Sequence, residues 1–157
     1  MGVDIHVRIA KKNRETNTWE HIKLYKKSNK RFKRVSIYPF RNYELFDILT
    51  GKGDPRFSPR SIVIQDLPFS LRQEVKRYQN TFGYYNFKEI NLADLKLYLK
   101  ERPKVQDYDD EDPSALKDNP VKSFIERIEQ YIDFADPFWD LNEVSTSDIK
   151  ILYWFDR

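Results

Sequence analysis

Val3-Asp4-Ile5-His6-Val7-Arg8-Ile9 alternates apolar and polar side chains without a break. A period of two is the geometry of a β-strand, whose successive side chains leave on opposite faces. One face of this strand is apolar and belongs in a core. The other carries a carboxylate, an imidazole and a guanidinium, with Asp4 and His6 about 7 Å apart along the strand. A polar set of that kind stands on a rigid element, where a site can be held in place.

Working outward, the strand runs to about Ala10, and Asn13-Arg14-Glu15-Thr16-Asn17 supplies turn formers. Trp19 to Tyr25 alternates again, so the first 25 residues predict a hairpin. Trp19, His21 and Tyr25 are expected on one face, with Ile22 and Leu24 on the other. Val35 to Phe40 reads as a short extended piece ended by Pro39. At the far end of the chain, Asp148 to Asp156 is apolar and aromatic and fits a well-buried strand beside the hairpin, which brings a second carboxylate, Asp156, to the rim of the sheet. Four helices are expected. The first follows Asn42 as its N-cap and stops at Gly51; the second begins at Ser70 and carries Leu71, Val75 and Tyr78. A third starts at Asn91, and a fourth runs from Pro120 to Ala135 with apolar residues at helical spacing. Gly83 punctuates an aromatic segment, and Phe138-Trp139 reads as packing. The expected fold is therefore α+β: a small, mainly antiparallel sheet from the N-terminal hairpin and the C-terminal strand, covered on one face by about four helices. Residues 1–157 are expected to form one domain.

Composition narrows the classes. With 39% hydrophobic, 34% charged and 15% aromatic residues the chain is not a disordered polymer. There is no cysteine, hence no disulfide framework and no thiolate nucleophile or metal ligand. No apolar run approaches the roughly 18 residues needed to span a bilayer, so a soluble, intracellular protein without a membrane partner is expected. The net charge of +3 hides an asymmetry: residues 1–60 hold 15 Lys/Arg against 6 Asp/Glu, and residues 103–157 hold 6 against 14. Such a dipole either offers a basic face to phosphate or neutralises itself within the fold.

Two stretches concentrate that charge. Lys26 to Arg34 holds six basic residues in nine around a single aromatic, Phe32. It reads as a solvated loop whose functional version contacts nucleic acid, with Lys30, Arg31, Lys33 and Arg34 on phosphates and Phe32 stacking on a base. The acidic counterpart lies in the loop at 104–113. It lacks the spacing and central Gly of an EF-hand, and a solvated loop is its simpler reading. Gly51-Lys52-Gly53-Asp54 lacks the spacing of a nucleotide phosphate loop.

Site chemistry converges on the first strand. Asp4, His6 and Asp156 would make a two-carboxylate, one-imidazole set, for which a divalent metal is the cofactor. Arg41, just ahead of the first helix with Asn42 and Tyr43, would reach an anion placed at that positive end. Asp4, His6 and Arg41 would then be the catalytic residues of a phosphoesterase or nuclease. The structural alternative is that His6 bonds a neighbour, while Arg41 pairs with Asp4 and staples helix to sheet. No nucleophile elbow is present for serine chemistry.

Met1-Gly2-Val3-Asp4-Ile5-His6, Trp19-Glu20, Arg41-Asn42-Tyr43-Glu44-Leu45-Phe46 and the closing Trp154-Phe155-Asp156 together resemble an uncharacterised family of bacteriophage and prophage proteins. Its members begin Met-Gly-Cys-Asp-Ile-His, carry Arg-Asn-Tyr-x-Leu-Phe and end on an aromatic strand. The chain departs at Val3, where the family has cysteine, and near residues 81–92, where Tyr84, Tyr85, Asn86 and Phe87 stand in place of a His-Ser segment. The resemblance implies a phage accessory protein in the cytoplasm of the host cell, acting by binding a nucleic acid, a nucleotide or a host defence protein. An anti-CRISPR or other anti-defence inhibitor is its concrete form. The metal-dependent phosphoesterase and a structural or scaffolding phage protein are the alternatives.

Overall fold

The alternating segment becomes β1 (Asp4–Asn13), which ends three residues beyond the expected Ala10, and turns into β2 (Thr18–Ile22). Asn17 takes the turn at φ 55°, a left-handed conformation that asparagine tolerates better than most residues. The structure, a computed structural model, describes residues 3–82, 87–136 and 145–156; the expectations at Gly83, at Tyr84 to Asn86 and at Phe138-Trp139 lie outside the described residues. β2 ends at Ile22 rather than Tyr25, because Tyr25 begins a separate ribbon in which it pairs with Arg34. That ribbon is β3 (Tyr25–Ser28) and β4 (Arg31–Arg34), and it corrects the expected solvated loop. Residues 35–40 form no strand, although Ile37 and Tyr38 are buried.

The remaining strands are β5 (Arg60–Ser61), β6 (Lys88–Asn91), β7 (Lys104–Gln106), β8 (Leu116–Asp118) and β9 (Ile149–Asp156). The main sheet runs β2-β1-β9-β6-β5 and every pairing in it is antiparallel. β9 therefore fills the centre and lies against β1 from Asp4↔Asp156 to Lys11↔Ile149. β7 and β8 pair as a small hairpin, so the acidic stretch expected as an open loop is largely the tip that joins them.

Alternation sorts the two faces of this sheet. Ile5, Val7 and Ile9 of β1 point to the same side as Ile149, Ile151 and Tyr153 of β9, and all six are buried in the larger core. Covering them are α1 (Tyr43–Leu49), α3 (Leu92–Glu101) and α4 (Val121–Ala135). Asn42 and Asn91 cap the first two as expected, their side chains accepting from the Leu45 and Asp94 amides. None of the described helices is long and apolar enough to cross a membrane.

The opposite face is not left to solvent. α2 (Phe69–Phe82) lies over it and buries Leu71 and Val75 against Ala10, Leu152 and Trp154. Helices thus cover both faces, which corrects the expectation of a single covered face. The physical reason is the composition of β9. Leu152 and Trp154 on that side are as apolar as their neighbours on the other, and burying such side chains stabilises by about 1.5–3 kcal/mol each. Charges on the second face are neutralised where they stand. Buried Lys150 and Glu89 approach within 3.7 Å, and the Lys150 ammonium sits 4.3 Å from the centre of the Trp19 ring.

Candidate nucleic-acid interface

The ribbon of β3 and β4 turns on Asn29 and Lys30, both left-handed with φ of 48° and 64°. Two consecutive residues of that conformation make the type I′ turn, whose twist matches the strands it joins. Its register, Tyr25↔Arg34, Lys26↔Lys33 and Lys27↔Phe32, then sorts the side chains. Tyr25, Lys27, Phe32 and Arg34 share one face. Lys26, Arg31 and Lys33 share the other. Phe32 is 73% exposed and Tyr25 49%.

Such a ribbon is costly to hold. An isolated two-stranded ribbon is marginal in water, and Lys26 directly opposite Lys33 sets like charges together. Its anchors lie at the base. The Val35 amide donates to the Leu24 carbonyl at 2.8 Å, and the Leu24 amide donates to the Tyr131 hydroxyl of α4 at 2.7 Å. Arg34 supplies a third anchor by donating from its guanidinium to Glu74 of α2 at 2.7 Å.

Glu74 is shared. Arg8 of β1 also donates to it, through Nε at 2.7 Å and a terminal nitrogen at 2.6 Å, so both arginines converge on the one oxygen, Oε1. The Arg8 guanidinium lies 5.2 Å from the centre of the Trp154 ring. Burial works against the charged carboxylate, but the hydrogen bonds from Arg34 and Arg8 outweigh it and hold Glu74 down at about 2. With Arg77, Ser70, Gln73 and Tyr78 these groups line an open concavity of about 650 Å³. His21, bonded through Nδ1 to the Ser70 hydroxyl at 3.2 Å, senses the field there. Burial first, then Lys23, Arg34 and Arg8, push its pKa down to about 3, so it stays neutral.

The other predicted site residues are placed differently. Arg41 donates through Nε to Asp4 at 2.7 Å, the pairing that staples the helix start to the sheet, and both are about half exposed. This hydrogen bond holds the Asp4 carboxyl below its ordinary range. Asp156 stands directly across from Asp4, and two carboxylates so placed repel. Arg41 relieves one of them; His6 Nε2 meets the other at 3.4 Å from Asp156 Oδ2. The His6 ring is stacked on Trp154 at 5.6 Å and tilted against Tyr78 at 5.0 Å. Burial lowers its pKa by more than the Asp156 hydrogen bond raises it, so His6 is neutral at pH 7. Among the described residues no group of three His, Cys, Asp or Glu side chains is placed to hold a metal ion. Asp4 is committed to Arg41 and His6 to Asp156, so the expected set of Asp4, His6 and Asp156 divides into two pairs. Asn42 is engaged in its cap, and Tyr43 is exposed with its ring edge-on to Phe46.

No family model, curated protein or solved structure matches this chain. Its site stands on its own geometry, which joins Arg34 of the basic segment to Arg8 of the first strand. Sequence reasoning left out Glu74 and Arg77 and placed Tyr78 only in the apolar stripe of its helix. Their signal was the spacing Ser70, Glu74, Arg77, three and four residues apart beside the Leu71 and Val75 stripe, which marks one flank of a helix.

Proposed function

We propose that the protein binds single-stranded nucleic acid through the ribbon face formed by Tyr25, Lys27, Phe32 and Arg34. The observation that carries this reading is Phe32, an aromatic ring nearly three-quarters exposed that shares its ribbon face with two cations, Lys27 and Arg34. Lys27 and Arg34 neutralise phosphates while the ring stacks on an unpaired base, the combination used wherever strands are held without sequence readout. In the phage setting implied by the sequence resemblance, this is the work of an accessory protein that masks or carries a strand in the host cytoplasm.

Anisotropy of a labelled oligonucleotide at two salt concentrations tests it. Affinity should fall steeply as salt rises, and Lys27→Gln should flatten the logarithmic slope by about 0.7, one single-strand phosphate contact. Phe32→Ala should weaken single-strand binding about tenfold, at the low end of a lost stacking contact, and leave the slope alone. Binding that ignores salt, or that survives Phe32→Ala intact, overturns the reading.

A further inference from the structure

The concavity that Arg34 shares with the ribbon holds more positive charge than its own carboxylate can offset. Three guanidiniums, Arg8, Arg34 and Arg77, face one carboxylate, Glu74, a balance of two positive charges. Arg8 and Glu74 are largely withdrawn from water, with side chains 15% and 13% exposed. Arg77 is exposed on α2 and has no ion-pair partner among the described residues. Arg8 and Arg34 both spend donors on the single oxygen Oε1 of Glu74, which fixes the two guanidinium planes in advance. A volume of about 650 Å³ falls in the range of pockets that enclose a small ligand.

Charge and geometry select the ligand. Guanidinium forks match the oxygens of phosphate, and a pair already oriented loses less freedom on binding. A phosphomonoester carries close to two negative charges at pH 7, with a second pKa of about 6, so it matches the surplus here. The phosphodiester inside a strand carries one. Arg34 belongs both to this concavity and to the ribbon face, two residues and about 7 Å along the strand from Phe32. A strand stacked on Phe32 therefore brings its end to the arginines. We infer that the Arg8, Arg34 and Arg77 concavity seats the terminal phosphate of the nucleic-acid strand held by the ribbon, an assignment that rests on the single-strand reading above.

Three oligonucleotides of one sequence, with a 5′-phosphate, a 3′-phosphate or hydroxyls at both ends, compete against a labelled strand on the intact protein. One phosphorylated end should bind about tenfold more tightly than the all-hydroxyl strand, the worth of one charge-assisted hydrogen bond. Arg77→Ala, a change at an exposed position, should reduce that preference to under about threefold, and Arg77→Lys should restore part of it. Equal affinity for all three strands, still sensitive to Phe32→Ala, overturns the terminal-phosphate site and leaves the ribbon reading standing. Failure of all three to bind overturns both. A preference that survives Arg77→Ala undiminished removes Arg77 from the site and overturns the charge argument.

Discussion

Replacing Glu74 by glutamine keeps the shape of the side chain and removes the one negative charge that Arg8 and Arg34 share. The folded protein holds the Glu74 carboxyl at about 2, against an ordinary 4.5. At about 1.4 kcal/mol for each pKa unit, ionised Glu74 contributes about 3 kcal/mol at pH 7. That agrees in size with the cost of breaking a buried pair from one side, about 3–5 kcal/mol. Because the folded value lies below the unfolded one, the contribution is complete above about pH 4.5 and fades as pH falls toward 2. Urea unfolding of the two proteins should therefore show a gap of about 3 kcal/mol at pH 7 and about 1.4 kcal/mol at pH 3. Urea is the denaturant of choice, since guanidinium chloride would screen the very charges at issue. A gap below about 1 kcal/mol at pH 7, or the same gap at both pH values, would mean that the two guanidiniums do not depend on Glu74.

Two further outcomes follow from the same structure. His21 is held at about 3 when folded and returns to about 6.5 on unfolding, so the unfolded chain takes up a proton that the folded protein refuses, and stability is lost as pH drops below 6.5. His21→Gln should flatten the stability curve between pH 6.5 and 4.5, with His6 supplying the slope that remains; an unchanged curve contradicts the buried, neutral imidazole. Tyr153 donates its hydroxyl to the Leu49 carbonyl at 2.6 Å, tying the central strand to the last turn of α1 where no amide is left to bond it. Tyr153→Phe should lower unfolding free energy by about 1–3 kcal/mol and speed amide exchange in α1, and a neutral substitution would show the carbonyl satisfied by other means.

Much of the scaffold was legible because local rules and tertiary packing agree in it. The alternation of Val3 to Ile9 sorts the faces of β1, Asn42 and Asn91 cap where capping residues should, and the aromatic run before Asp156 does lie against the first strand. The site was legible only in fragments. Arg8, with His6 and Asp4, reads from the sequence as one polar set on a rigid strand, but nothing in the alternation names its partner. Its burial depends on Glu74, 66 residues away on a helix that no local pattern assigns to that side of the sheet. The ribbon was hidden for a different reason. Lys26 to Arg34 has almost no apolar residues to alternate, and its turn uses Asn29-Lys30 where the recognisable pair would be Asn-Gly. Arg41 shows the reverse case, since its pairing with Asp4 was one of two readings visible in advance and is the contact observed.

The place of β9 in the middle of the sheet governs how this molecule can be made. Every strand that β9 joins precedes it by many residues; Ile5 meets Phe155 across nearly the whole chain. Until that segment emerges from the ribosome, the newborn protein holds two half-sheets, β2-β1 and β6-β5, each with a raw inner margin of unpaired amides and carbonyls. Closing so long a loop is slow, and assembly of the sheet waits on the arrival of β9. Until then, those margins are exposed to neighbouring chains.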